Sequence, residues 1–185
     1  MTIERVPQKH YPKADIGRRG MALGLDFFVV WLVSSLLGSS NIGIQFVEIL
    51  VFVILWLVLR VLLVYNNKGQ SLGRWAFDLK VLEVDDGQVM GRIPDLQALV
   101  KREAIVGLGA LLVSIALSNI TANPTAILLV FPLGIDCGTA FSDAQMQQAL
   151  HDRYCGTFIV SSRRGYSLDI KIKRLVENIR RKMIK

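Results

Sequence analysis

Residues 42–65 read IGIQFVEILVFVILWLVLRVLLVY, a run in which only Glu48 and Arg60 carry charge. About 20 apolar residues in helical form cross the roughly 30 Å of hydrocarbon in a bilayer, so this stretch alone predicts a membrane-spanning helix. Outward from it the pattern repeats. On its amino-terminal side lies a second apolar block, about Met21 to Leu37, broken only by Asp26. On its carboxyl-terminal side are two more, about Ala104 to Ala122 and about Thr125 to Phe141. The third block is uncharged, and its glycines and serines permit close helix packing. The fourth contains Asp136 and also Pro132, which would kink the span or turn it back as a re-entrant segment.

The 185 residues are 52% hydrophobic. What sets the class is their grouping in blocks, since a soluble domain spreads a comparable content periodically. The first 20 residues, MTIERVPQKHYPKADIGRRG, hold charges and two prolines ahead of any apolar run. That is not a signal peptide, and the first block is expected to remain as a span.

Orientation follows from lysine and arginine, which hold loops on the cytoplasmic side during insertion. The links GSSN at 38–41 and NP at 123–124 have no charge, whereas residues 1–20, residues 66–103 and the carboxyl tail carry the lysines and arginines that count for orientation. Two helical hairpins, with both termini cytoplasmic, are the expected topology. The fold class is therefore all-α transmembrane, a four-helix membrane bundle over residues 21–160.

Between the hairpins, Phe77, Leu79 and Val81 alternate with Asp78 and Lys80, and Asp86-Gly87 follows. This predicts a short cytoplasmic β-hairpin. Pro94 then marks a helix start that feeds the third span. In the tail, residues 161–185, Leu168, Ile172, Leu175, Val176, Ile179 and Met183 recur at helical spacing among nine basic and two acidic residues. A basic amphipathic helix of this kind lies on anionic inner-leaflet lipids. No aromatic platform or motif accompanies it, so nucleic acid is not an expected partner.

A repeat is faintly visible: RRGMALGLD at 18–26 aligns with KREAIVGLG at 101–109. Basic residues before a helix that starts on the cytoplasmic side are expected in any case, so chance accounts for the match.

A charge inside a span costs about 2.5–3.5 kcal/mol on insertion scales, so Asp26, Glu48, Arg60 and Asp136 need partners or a task. By helix rise, Asp26 and Arg60 sit about 7 to 8 Å from the cytoplasmic ends of the first two spans, at depths where they can face each other. They form the candidate ion or proton site. An interhelical ion pair that fixes packing is the competing reading, and the distance between the two side chains decides between them. Glu48 and Asp136 are expected to snorkel toward the nearer interface.

The sequence contains no G-x-S-x-G turn, P-loop, H-E-x-x-H pair or G-x-G-x-x-G turn. His151-Asp152 is the one acid–base dyad, and no enzymatic activity, cofactor or metal is expected. Cys137 and Cys155 do not suggest a disulfide framework.

Three stretches together resemble the RDD family of small polytopic membrane proteins: RRGMALGLD, GQSLGRWAFDLKV at 69–81 and LHDRYCGTFIV at 150–160. The resemblance maps the family's arginine to Arg19 and its two aspartates to Asp26 and Asp152. Many relatives have three spans rather than the four read here. The resemblance implies a membrane protein of undefined activity, with transport, including sodium or lithium exchange for protons, proposed for some members. On that reading Arg19 and Arg60 orient Asp26, while His151, Asp152 and Arg153 brace the cytoplasmic end. A bundle this small calls for self-association or a larger complex, and an accessory protein docked on such a complex is the alternative.

Overall fold

The computed structural model describes residues 11–37, 46–85, 87–143 and 146–162, together with 167, 168, 170, 172 and 174. Helix α1, Ile16–Leu37, begins five residues ahead of the apolar block because Ile16 to Gly20 extend the same turns. The second rod, Phe46–Asn66, consists of α2, Phe46–Leu57, one π-helical turn, Val58–Leu62, and α3, Leu63–Asn66. In the π turn the Leu63 N–H reaches back to the Val58 carbonyl, one residue further than in an α-helix. The wider turn rotates the face of the rod at Arg60, which is buried.

A short helix α4, Leu72–Ala76, follows, and then strands β1, Leu79–Asp85, and β2, Gln88–Val89. Ser71 caps α4, its hydroxyl accepting from the Arg74 N–H. The expected hairpin is present, with Val84 opposite Val89 and Asp85 opposite Gln88. What the sequence reading missed is a third strand, β3, Thr157–Ser161, which pairs antiparallel with the other edge of β1. The fold is thus mostly helical with a three-stranded sheet in the order β2-β1-β3.

Helix α5, Leu96–Asn119, starts just after Pro94 and runs without interruption into the third apolar block. Among the described residues, three helices are long and apolar enough to cross a membrane: Ile16–Leu37, Phe46–Asn66 and Pro124–Ser142. α5 is not among them, so the expected fourth span is not confirmed. Lys101, Arg102 and Glu103 occupy its first part, and its uncharged remainder from 104 to 119 is only about 24 Å long. The block containing Pro132, which looked most vulnerable, is the one that qualifies. Residues Pro124–Val130 form a 3-10 helix and Phe131–Ser142 form α6. At about 2.0 and 1.5 Å per residue the two segments together extend about 32 Å. Pro132 stands in the first turn of α6, where its missing N–H costs no hydrogen bond.

A last short helix, α7, Leu150–Tyr154, leads into β3. The strands and the short helices gather where the long helices begin and end. Lys13, just before α1, bridges to Val160, and the Glu83 N–H donates to the Arg92 carbonyl just before α5. The links 38–41 and most of the expected tail helix lie outside the described residues; Leu168, Ile170, Ile172 and Arg174 are helical.

The two halves of the chain repeat, but not through the stretches aligned above. Gln70 donates its side-chain amide to the Leu79 carbonyl at 2.7 Å, and Gln148 donates to the Thr157 carbonyl at 2.7 Å. Gly69 and Gln147 both have positive φ, as do Asp78 and Gly156. The Ser162 N–H donates to the Asp78 carbonyl and the Val84 N–H to the Gly156 carbonyl. Every such pair is 78 positions apart (148 minus 70, 147 minus 69, 156 minus 78, 162 minus 84). The register obeys the same two-fold relation about the opposed pair Val81 and Ile159, which are themselves 78 apart. Each half is therefore two long helical segments, a five-residue helix and a strand. Both hairpins start from the sheet, so the repeat is parallel.

Glycine at 73 follows from packing. A Cβ there would stand 2.0 Å from the Ala22 carbonyl oxygen and 3.0 Å from the Asp26 carboxyl carbon. The Gly73→Ala protein is expected to lose about 1–3 kcal/mol or more from overpacking, because the obstructing atom is helix backbone. Thermal unfolding in detergent, compared with Gly138→Ala, whose added Cβ meets no atom within 4 Å, measures the difference.

A candidate site built from buried ion pairs

α1 carries Asp26 into the interior, where it is fully buried. Three donors satisfy its carboxylate: Arg60 Nη1 at 2.7 Å and Ser71 Oγ at 2.6 Å on one oxygen, and the Gly73 N–H at 2.7 Å on the other. Asp26 pairs with Arg60 as their depths foretold, and the pair is close and buried, the arrangement that the packing reading expects. Arg60 also stacks over the Trp56 ring, one turn earlier, at 5.1 Å.

Arg60 does not stop at Asp26. Its Nε donates to Glu103 Oε2 at 2.8 Å, and Arg74 Nη2 donates to Glu103 Oε1 at 3.0 Å. Arg102 Nη1 closes on the same oxygen. Glu103, fully buried, thus lies among three guanidinium groups. Burial, followed by repulsion from Arg60 and Arg102, lowers Arg74 to about 9, so it remains charged at neutral pH.

Arg102 continues the chain of charges to α7. Its Nε donates to Asp152 Oδ1 at 2.9 Å, and the Thr157 hydroxyl donates to the same oxygen at 2.7 Å. Arg102 Nη2 lies 3.2 Å from His151 Nε2. A guanidinium can only donate, so Nε2 accepts and the imidazole proton sits on Nδ1, which donates to Asp136 Oδ2 at 2.5 Å. The His151 backbone N–H donates to the other Asp136 oxygen at 3.0 Å. Asp136 does not snorkel; it is buried as the anchor of His151 on α6.

The remaining expected residues stand apart. Arg19 lies two turns below Asp26 and does not orient it. Its Nη1 and Nη2 donate to the carbonyls of Gln147 and Ile159 at 2.6 and 3.1 Å, and its head lies over the Phe158 ring. Arg153 faces Asp143 at 3.4 Å on the surface rather than Asp152. Glu48 meets only the Ser118 hydroxyl, at 3.4 Å, at the far end of the bundle.

Sequence reasoning overlooked Arg74, Arg102 and Glu103. The basic pair was taken as an orientation signal, and Glu103 fell one residue before the third span. The signal available was an acid placed directly between a basic pair and an apolar block, where simple orientation needs none.

A cavity of about 470 Å³ opens against this network. Arg19, Arg60, Arg74, Arg102, His151 and Asp152 supply its polar wall, and α1, α5 and α6 its apolar walls.

The RDD family model matches residues 13–156, which include Arg19, Asp26 and Asp152 and exclude the basic tail. No curated protein and no solved structure matches the chain.

Two outcomes follow from this geometry. Glu103→Gln removes the anion shared by three buried guanidinium groups, and should cost about 3–5 kcal/mol in unfolding measured in detergent. Asp152 gives a pH dependence. Burial raises its proton affinity, but the Arg102 charge and the Thr157 and Arg102 hydrogen bonds outweigh it and hold the carboxyl at about 2. With the folded value depressed, its contribution is complete above about pH 4, the ordinary range, and is lost as pH falls toward 2. A melting-temperature series across that window should fall less steeply for Asp152→Asn than for wild type.

Proposed function

The chain belongs to the RDD family of small membrane proteins, and from that premise we propose that it takes part in ion or small-solute transport. The observation that carries this reading is a cavity of about 470 Å³ set against paired charges in the interior of a membrane-crossing bundle. Such charges are costly in a bilayer, and where they persist they mark pathways and relays. In this reading α5 crosses as well and completes a four-helix bundle. Its charged first turns are sheltered by Arg60 of the second rod and by the short helices α4 and α7.

The sheet and both termini are assigned to the cytoplasm, because residues 1–20, 66–103 and 161–185 hold 20 of the 22 lysines and arginines. Trp75 and Tyr154, both exposed on the short helices, suit the level of the headgroups. The 161–185 tail is assigned to anionic inner-leaflet lipids.

Asp26 serves as the lock in the resting state. Both its oxygens are occupied, so a cation or proton reaches it only if the Asp26–Arg60 contact opens. Purified protein in vesicles loaded with a pH-sensitive dye tests this. Sodium or lithium pulses should drive proton flux with wild type, and Asp26→Asn, which keeps the shape of the carboxylate, should abolish it while retaining the wild-type elution volume. Flux that survives the substitution removes Asp26 as the ion site. Absence of flux in wild type, with a larger complex copurifying in fixed ratio, would instead favour an accessory role.

A further inference from the structure

Two buried donors on the cavity side of the network have no partner among the described residues: Arg74 Nη1 and Arg19 Nε. Arg74 is only 2% exposed, and both arginines line the cavity. An unpaired N–H on a buried guanidinium loses its hydration without compensation, so such atoms are normally met by a ligand or by ordered water. Arg60 and Arg102 share the same wall, and Asp152 is the one carboxylate on it.

Asp136 is held by the His151 N–H groups, and the Nη atoms of Arg19 are held by two carbonyls rather than by a carboxylate. Around the cavity, Arg19, Arg60, Arg74 and Arg102 are matched in number by Asp26, Glu103, Asp136 and Asp152, so what is left unmet is hydrogen-bonding capacity rather than charge. The guanidinium fork matches phosphate oxygens in pairs.

The rest of the cavity is apolar and opens sideways. Gly17 and Gly20 on α1 and Gly134 and Phe141 on α6 line it and are exposed. A Cβ built at Gly20, Gly134 or Gly138 meets nothing within 4 Å, so the small residues leave open space between two membrane-crossing helices. It lies beside the sheet-proximal ends of α1 and α6, with Arg19 on the same first turns of α1 as Gly17 and Gly20.

We propose that this cavity binds the phosphate headgroup of an anionic lipid, which enters from the bilayer between α1 and α6 and pairs with Arg74 and Arg19. The site is separate from the basic tail. It rests on the chemistry of the cavity and holds whether or not the protein moves a solute.

Native mass spectrometry of the full chain released from mild detergent tests it, with dioleoyl phosphatidic acid, dioleoyl phosphatidylcholine and inorganic phosphate as probes. One phosphatidic acid per chain is expected to be retained, with a raised melting temperature, and phosphatidylcholine is not. Arg74→Gln should weaken retention by about tenfold or more, the loss of a charged hydrogen bond. Because Arg74 also contacts Glu103, Gly138→Leu provides the second variant: it puts bulk into the slot from a position whose Cβ meets nothing within 4 Å, and it raises helix propensity. It should keep the wild-type melting temperature without lipid and lose the lipid. Equal retention of phosphatidylcholine, or phosphatidic acid binding unchanged in Gly138→Leu, overturns the proposal. So does inorganic phosphate that competes as well as the lipid, since it would mark a free-anion site.

Discussion

The Glu103 carboxylate, enclosed by Arg60, Arg74 and Arg102 and sealed from solvent, is the contact on which the rest of the bundle depends. Each of those arginines comes from a different element: the π turn of the second rod, the short helix α4, and α5 itself. Removing apolar surface from water contributes little to joining helices in a bilayer, where lipid is as apolar as leucine. A desolvated carboxylate among guanidinium groups, by contrast, tolerates few displacements, because an unpaired buried charge costs several kcal/mol. Two consequences of that requirement are visible locally. The π turn brings Arg60 inward, and Gly73 lets α4 approach α1 until its backbone N–H can reach Asp26.

The ends of the network show how strongly the helices are tied together. Asp26 belongs to α1 and Asp136 to α6, and five further charged side chains with His151 join them through α5, α4 and α7. A movement of α1 relative to α6 would have to break or exchange at least one of these pairs. Any conformational cycle in the protein is therefore coupled to electrostatics inside the bundle, whatever the solute.

Much of this was legible in the sequence. Block hydrophobicity located the long helices, alternation at 77–81 located the first strand, and equal depth paired Asp26 with Arg60. Failures came where a local signal had two explanations. Arg102 and Glu103 satisfied the orientation rule as loop residues, so nothing local demanded their burial, and only packing against α4 and α7 draws them in. β3 was missed because Thr157 to Val160 is four apolar or β-branched residues without alternation, which periodicity cannot classify. It lies buried against β1 and the segment before α1, so it has no solvent face to alternate with. The repeat escaped because its signature is conformational: Gly69 corresponds to Gln147 and Asp78 to Gly156, pairs that share a left-handed backbone and little chemistry.

That same correspondence explains why two neighbouring residues of α5 carry opposite charge. Position 74 in the first half corresponds to position 152 in the second, and there the symmetry is broken: one is arginine and the other aspartate. Consecutive residues on a helix point about 100° apart, and the Arg102-Glu103 pair uses that angle. Glu103 turns to Arg74 on one short helix and Arg102 to Asp152 on the other. Two equal short helices held by apolar contacts alone would allow α5 to seat in either sense about the two-fold axis. With a cation on one side and an anion on the other, the reversed seating would oppose Arg102 to Arg74 and Glu103 to Asp152, in a site where charges are screened least. The second aspartate of the family pattern thus meets Arg102 from the position pseudo-equivalent to Arg74, which meets Glu103.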